Sequence, residues 1–235
     1  MGSHRKTIGI IGSMDVEIKH YLENAEIKRE TNWNGITFHE SRLFDKDTVI
    51  VKSGVGKVFA AMVCERLIDE YNPRAVVFTG VAGALNRDLD IGDVVLSKSC
   101  IQQDLDAEAL GFPRGEIPYT HLREFKADET LLRIAGGTKL RGRKVIPGRI
   151  LTGDQFITKK EMSEHKYLID ELRGDAIEME GGSIAQVCTL NEIPFIIVRT
   201  VSDKADGTAA ADFNKFLPVV ARNSFNVVMN LLLNY

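Results

Sequence analysis

Three carboxylates in this chain each fall just past a short apolar run: Glu17 after Thr7–Ile11, Glu180 after Ala176–Met179 and Asp203 after Phe195–Val201. If those runs are strands of one parallel sheet, the acids gather at its carboxyl edge, where open α/β sheets hold their ligands. Acids brought to one rim from distant parts of a chain suit acid/base chemistry on an uncharged, polar substrate. Around them, Ile177-Glu178-Met179-Glu180-Gly181 sets two acids about a methionine at a strand-to-helix junction. Alternation puts Glu178 and Glu180 on the same side if the strand reaches that far. One acid then caps the next helix, and the other accepts two hydrogen bonds from a vicinal diol. Val198-Arg199-Thr200-Val201-Ser202-Asp203 ends its strand with a cation and an acid, which alone also make an ordinary ion pair.

Glycine-rich stretches accompany these acids. Gly9-Ile10-Ile11-Gly12-Ser13-Met14 follows the first strand but lacks the third glycine and the distant acid of a dinucleotide fingerprint, so it fails the test for a nicotinamide cofactor. Its glycines instead let the chain turn tightly and carry Met14 and Glu17 over the rim. Taken alone, Glu17 is also the kind of residue that complements a helix dipole from the first turn. Ser53-Gly54-Val55-Gly56-Lys57 stands between a strand and a helix, the context for anion capture at a helix amino terminus. It is too short for a nucleotide-phosphate loop and offers close backbone approach to some ligand. Thr79-Gly80-Val81-Ala82-Gly83 reads as a turn after a strand, whose glycines let a flat ring lie near the backbone.

The elements that must position these residues alternate in type. Apolar runs at Thr7–Ile11, Ala75–Thr79, Val94–Ile101, Lys144–Leu151 and Phe195–Val201 read as strands, and Ile36–Glu40 with Thr48–Lys52 as a pair joined at Asp45-Lys46-Asp47. Helical spacing predicts helices over about Asp15–Glu23, Lys57–Tyr71, Asp128–Ala135, Lys159–Leu172, Gly181–Leu190 and Asp212–Leu233. Asp104–Lys126 lacks periodicity, and a loop that long in a compact domain is usually functional. The expected architecture is α/β: a single domain, 6–235, with a mostly parallel central mixed sheet flanked by helices on both faces. Residues 1–5, with Met1-Gly2-Ser3-His4, read as a leftover cloning segment or a disordered N-terminus.

At 235 residues, 44% of them hydrophobic, the chain is long enough for one sizeable core. A net charge of −3 gives no electrostatic footprint for nucleic acid or an anionic membrane, and the basic cluster at 139–144 reads as a solvated loop. No apolar stretch is long enough to span a bilayer. Cys64, Cys100 and Cys188 are odd in number and widely spaced, as buried free thiols in a reducing cytosol are, so a cytoplasmic location is expected, or an exported one if a signal peptide once preceded Arg5. His20, His39, His121 and His165 pair with no cysteine at ligand spacing, so no metal site is expected.

Taken in order, these motifs resemble the nucleoside phosphorylase superfamily, most closely the bacterial 5′-methylthioadenosine/S-adenosylhomocysteine nucleosidases. The resemblance runs from about Thr7 to Leu233 and rests on the stretches at 9–17, 52–57, 79–83, Gly153-Asp154-Gln155-Phe156-Ile157, 178–180 and 198–203. It implies hydrolysis of an N-glycosidic bond, with Asp203 as the acid that protonates adenine N7 and Glu17 as the base that activates water. It further implies Glu180 on the ribose hydroxyls, Met179 beneath the sugar and Arg199 near the diol or water. Phe156 stacks on adenine, while Ile157 and Ser202 fix the base and Asp203. Met14, Val81, Ala82, Gly83 and Glu178 fall in the same substrate-binding motifs. Val55, Leu110 and Pro118 match the alkylthio pocket, Pro118 reaching across from a second subunit. The family therefore implies a homodimer that shares the loop 104–119, and no cofactor.

The chain departs from that pattern at Val81, at Leu110 and at Gly181-Gly182, where relatives carry a serine, an aromatic and Ala-Thr-like residues. Those departures leave room for a nucleoside phosphorylase, an aminodeoxyfutalosine hydrolase or a non-catalytic nucleoside-binding or adhesion paralogue. A phosphorylase needs arginines and a hydroxyl about Thr79–Gly83, and none stands there.

Overall fold

The computed structural model describes residues 6–204 and 209–235; at Lys159, 209–215 and 218–219 it describes the backbone alone. The strands are β1 (Ile8–Gly12), β2 (Glu26–Trp33), β3 (Ile36–Leu43), β4 (Lys46–Lys52), β5 (Ala75–Ala84), β6 (Val94–Gln102), β7 (Phe125–Lys126), β8 (Val145–Thr152), β9 (Ala176–Glu178) and β10 (Phe195–Asp203). The helices are α1 (Asp15–Asn24), α2 (Lys57–Tyr71), α3 (Glu129–Gly136), α4 (Lys159–Glu164), α5 (Tyr167–Asp170), α6 (Gly181–Leu190) and α7 (Ala209–Asn234). The segments at 1–5 and 205–208 lie outside the described residues, so the expectation for the N-terminus does too.

The centre of the sheet is parallel: β4, β1, β5 and β10 lie side by side in one direction. β6–β8 and β8–β9 are parallel as well, whereas β10–β6, β5–β9, β2–β3, β3–β4 and β6–β7 are antiparallel, which gives the mixed sheet with a parallel centre that the sequence implies. Because β5 pairs with both β9 and β10, the strands β10-β6-β8-β9-β5 close into a ring, with β1-β4-β3-β2 as an open wing.

Closure follows from length. β5 runs on through Gly80–Ala84 as fully buried strand, correcting the expected turn at Thr79–Gly83. β1 stops beside Phe78, and past that point β5 has only β10 and β9 to pair with.

Apolar faces account for the helices. Ile18 and Tyr21 of α1, Leu131 and Ala135 of α3 and Val228 and Leu231 of α7 pack with Ile10, Val77 and Ile196 on one side of the sheet. On the other side, Val63 and Leu67 of α2 and Ile184 and Cys188 of α6 cover Ile11, Phe78 and Ile197. Cys64, Cys100 and Cys188 are buried free thiols, with Cys64 and Cys188 in sulfur contact at 3.7 Å between α2 and α6. Among the described residues, no helix is long and apolar enough to cross a membrane.

Besides the short β7, two elements differ from expectation. β2 was unforeseen because it is a charged, mostly exposed strand at the edge of the sheet, where pairing rather than burial defines it. The helix expected over Lys159–Leu172 is two short helices, broken at His165, so that Leu168 and Leu172 turn into a small core with Leu151 and Ile177.

Candidate active site

Glu17 sits at the third position of α1, immediately past β1, where unsatisfied helix N–H groups meet an acid. Its carboxylate is 3 % exposed. Oε2 accepts from Ser13 N (2.7 Å), Ser13 Oγ (2.7 Å) and Met14 N (3.0 Å), while Oε1 accepts from Val81 N (3.1 Å). Gly12 makes no tight turn; a side chain there would collide with Ile18, so the glycine lets α1 lie close over the strand end.

Arg199, on β10 opposite Gly80, is the largest fully buried side chain of the described residues. Its guanidinium lies 4.1 Å from the Phe78 ring centre and binds Glu178 Oε2, with Glu180 Oε2 at 3.2 Å and Glu17 Oε1 at 3.8 Å. Three acids thus share one cation. Burial opposes its charge, but Glu178, Glu180 and Glu17 outweigh that and raise its pKa further. Nε and Nη1 have no hydrogen-bond partner among the described residues, and Nη1 is the one that stands beside Glu17.

Glu178 and Glu180 reach this centre by a route unlike the expected one. β9 runs against β5, not with it, and ends at Glu178, so strand alternation does not extend to Glu180. The two acids still converge, because the chain turns into α6 between them. Glu178 is the capping acid: it accepts from Glu180 N (3.0 Å) and Gly181 N (2.7 Å), and from Thr152 Oγ1. Glu180 Oε1 accepts from Gly56 N at 2.9 Å. Gly56 itself stands at φ 95° and ψ 158°, a conformation open only to glycine, at the amino end of α2. That end therefore captures anions as its sequence context suggests, and the anion is the chain's own. Burial and the charge of Glu178 push the Glu180 carboxyl up to about 7.

Asp203 is the last residue of β10, beside Gly83 of β5, after a bulge that follows Val201. Bulges of this kind re-aim the side chain that follows. Ser202 Oγ donates to Asp203 Oδ2 at 2.9 Å. Arg199 and Asp203 lie opposite Gly80 and Gly83, so three residues of β5, roughly 10 Å of strand, separate the two levels.

One cavity of about 300 Å³ joins these levels. Ser13, Met14 and Glu17 line it from the start of α1, Glu178, Met179 and Glu180 from the turn between β9 and α6 with Val55, and Ser202 and Asp203 from the end of β10. Val81, Ala82 and Gly83 of β5 also line it, as do Gln155, Phe156 and Ile157. Of the expected site residues, Arg199 lies behind this surface, holding the glutamates. Leu110 and Pro118 stand outside it on the segment between β6 and β7, Leu110 being 67 % exposed. Ser13, Gln155 and Ile177 were not foreseen; Ser13 has a signal in its place before an acid at helix position three, the others none. Among the described residues, no cluster of three His, Cys, Asp or Glu side chains is arranged to hold a metal ion.

Comparison with known proteins fits this geometry. Residues 7–233 match the family model described as the phosphorylase superfamily. A 5′-methylthioadenosine/S-adenosylhomocysteine nucleosidase of Geobacillus sp. (strain WCH70) is 36% identical over 228 residues, 96% of this chain and 97% of that protein. The nucleosidase of Neisseria meningitidis, solved in complex with methylthio-immucillin-A, superposes with a TM-score of 0.92 at 33% identity, covering 98% of this chain and 100% of that one. Futalosine hydrolase of Helicobacter pylori superposes with a TM-score of 0.90 at 32% identity, covering 98% and 99%.

Proposed function

The chain belongs to the phosphorylase superfamily, among its 5′-methylthioadenosine/S-adenosylhomocysteine nucleosidases, and from that premise we propose that it hydrolyses the N-glycosidic bond of those two nucleosides. The products are adenine and the 5-alkylthioribose. The observation that carries the reading is the pair of buried carboxyls, Glu17 and Asp203, lining one small cavity.

Adenine leaves poorly as an anion, so the bond to C1′ needs a proton delivered to the base as it breaks. Asp203 supplies that proton at N7, with Ser202 fixing its carboxyl. Positive charge then develops on the sugar ring and lies among Glu17, Glu178 and Glu180. Glu17 takes a proton from a water molecule whose oxygen bonds to C1′ from the face opposite the departing base. Glu180 accepts from the ribose hydroxyls, Met179 lies under the sugar, and Phe156 and Ile157 hold the purine.

The same cluster argues against phosphate as the nucleophile. Arg199 is already shared among three carboxylates, so an incoming dianion meets net negative charge. We also read the chain as a cytoplasmic homodimer. Three buried free thiols support the location. Support for the dimer is an apolar strip at the cavity mouth, where Val55, Val58, Phe59 and Met62 are 51%, 78%, 50% and 39% exposed. Pro118 of a second copy then completes the alkylthio pocket.

The test is adenine release from methylthioadenosine, S-adenosylhomocysteine, aminodeoxyfutalosine and inosine, with and without phosphate. Methylthioadenosine turns over without phosphate, and Asp203→Asn and Glu17→Gln each lower kcat by about 10²–10⁴-fold. Both variants matching the parent would remove the assigned roles; phosphate-dependent release of ribose 1-phosphate would replace hydrolysis with phosphorolysis.

A further inference from the structure

The amino end of α2 holds more than the ribose acid. Gly56 N donates to Glu180, and the next N–H, that of Lys57, donates to Asp154 Oδ1 at 2.9 Å. The Lys57 ammonium binds Asp104 Oδ1 at 2.7 Å and stands 3.9 Å from Asp154 Oδ2. Asp104 closes the circuit by accepting from Asp154 N at 3.0 Å. Asp154 opens the segment that carries Gln155, Phe156 and Ile157 into the cavity. Asp104 follows the end of β6, where Gln103 N bonds Thr152 O at 2.8 Å.

The geometry points to Lys57 as a positioning residue for purine binding: through Asp104 and Asp154 it ties the segment 153–157 to the same helix end that holds the sugar-binding carboxylate. This rests on the functional reading above, since it assigns the segment to the base. A helix is stiff over one residue, so Gly56 and Lys57 fix the acid for the sugar and the anchor for the base relative to each other. A bound nucleoside needs that spacing preset, because ordering the segment on binding subtracts from affinity. The cluster is only partly shielded, with the Lys57 and Asp104 side chains 18% and 30% exposed, and ion pairs in such places add little to folding stability. A positioning role and a structural one therefore make different predictions.

The experiment uses the full chain and three variants: Lys57→Met, Lys57→Arg and Asp104→Asn. Adenine affinity is measured by calorimetry, with kcat and KM for methylthioadenosine and the unliganded melting temperature. Lys57→Met and Asp104→Asn are expected to raise the adenine Kd and the KM about tenfold. Their kcat stays within about threefold and their melting temperature within about 2 °C of the parent. Lys57→Arg keeps the charge and restores affinity to within about threefold of the parent. An adenine Kd unchanged in Asp104→Asn overturns the inference, even if Lys57→Met does not fold. Arginine failing to rescue overturns it too, as does a melting temperature that falls in step with affinity. A parent that neither binds nor releases adenine fails the functional reading and takes this inference with it; a parent that does both, beside variants of unchanged Kd, fails this inference alone.

Discussion

Gly80 is where the site has least room. A methyl group there would stand 2.8 Å from Glu17 Cδ and nearer still to Glu17 Oε1 and Arg199 Nη1. Ordinary contact begins at 3.4 Å, so the Glu17 carboxyl has to retreat by at least about 0.6 Å, and the guanidinium further. Neither group is loose. Four donors hold the Glu17 carboxylate, and Arg199 is pinned by Phe78, Glu178 and Glu180. Gly80→Ala is therefore expected to cost about 1–3 kcal/mol in stability, as overpacking of a rigid core does. Displacement of a reacting group by about 1 Å costs on the order of 10²-fold in rate, so kcat for methylthioadenosine falls by about that factor. Circular dichroism establishes that the variant is folded, a thermal melt gives the stability change, and absorbance at the adenine band gives the rate. Gly136→Ala is the control: its methyl would find only Leu96 Cδ1, at 3.9 Å, and both quantities stay near the parent's. A Gly80→Ala enzyme that is folded and within about twofold of the parent rate would refute the idea that Glu17 and Arg199 act from these positions.

Two other perturbations read separate parts of the structure. Glu180 has a folded value of about 7 against an ordinary 4.5, so between those pH values the unfolded chain ionises this group and the folded one keeps its proton. Stability from this group is thus full below about pH 4.5 and lost as pH rises to about 7, a difference of about 3 kcal/mol. Glu180→Gln, melted from pH 4 to 8.5, should flatten that loss, and a variant that loses stability with pH as the parent does would count against it. Its carboxylate form is the one that accepts from two hydroxyls, so the parent's KM for methylthioadenosine should fall as pH passes through about 7. On α2, Val58→Asp puts a charge in the exposed apolar strip and should turn dimer into monomer in sedimentation, raising KM about tenfold as the shared pocket is lost. A parent that sediments as a monomer at working concentration refutes the shared pocket.

The parts of the fold that read clearly from the sequence are those where burial dictates residue type. The runs at 75–78, 94–96 and 195–198 are apolar on both faces because they lie between two layers of helix, and α2 and α6 begin and end where their patterns do. β2 was hidden because an edge strand carries no such pattern. The continuation of β5 was hidden by Gly80 and Gly83, which read as a turn, whereas Gly80 serves close approach of Arg199 and Glu17 to the backbone. The acids were legible as a set because each ends an apolar run. That Glu178 and Glu180 arrive on a reversed strand was not, since strand direction depends on the ring closing far away in sequence. The departure at Gly181-Gly182 also acquires a physical reason. A side chain at Gly182 would stand 2.8 Å from Thr152 Oγ1, the hydroxyl that binds Glu178, so the glycine keeps that contact close.

Glu17, Glu178 and Glu180 have one side chain in common and one arginine to share, so what separates their work is what else each touches. Glu178 takes two backbone N–H groups, a hydroxyl and the guanidinium, which uses its acceptor positions and makes it the fixed counter-ion of the cluster. Glu180 takes one backbone N–H and a longer contact to Arg199, and with Glu178 charged beside it the environment holds its proton into the neutral range. Glu17 has one oxygen saturated by three donors and the other, Oε1, carrying a single hydrogen bond from Val81. That second oxygen is 3.8 Å from an Arg199 nitrogen with no hydrogen-bond partner. Glu17 lines the cavity and Arg199 does not, so on the proposed reading the acceptor Oε1 serves a neutral molecule able to donate to it, and water is the smallest one. An anion has nothing to give Glu17, and a cation meets the buried arginine behind it as a like charge. The saturation of Glu178 is therefore what sets it apart: it holds Arg199 in place, and Glu17 Oε1 keeps the acceptor capacity that the proposed activation of water requires.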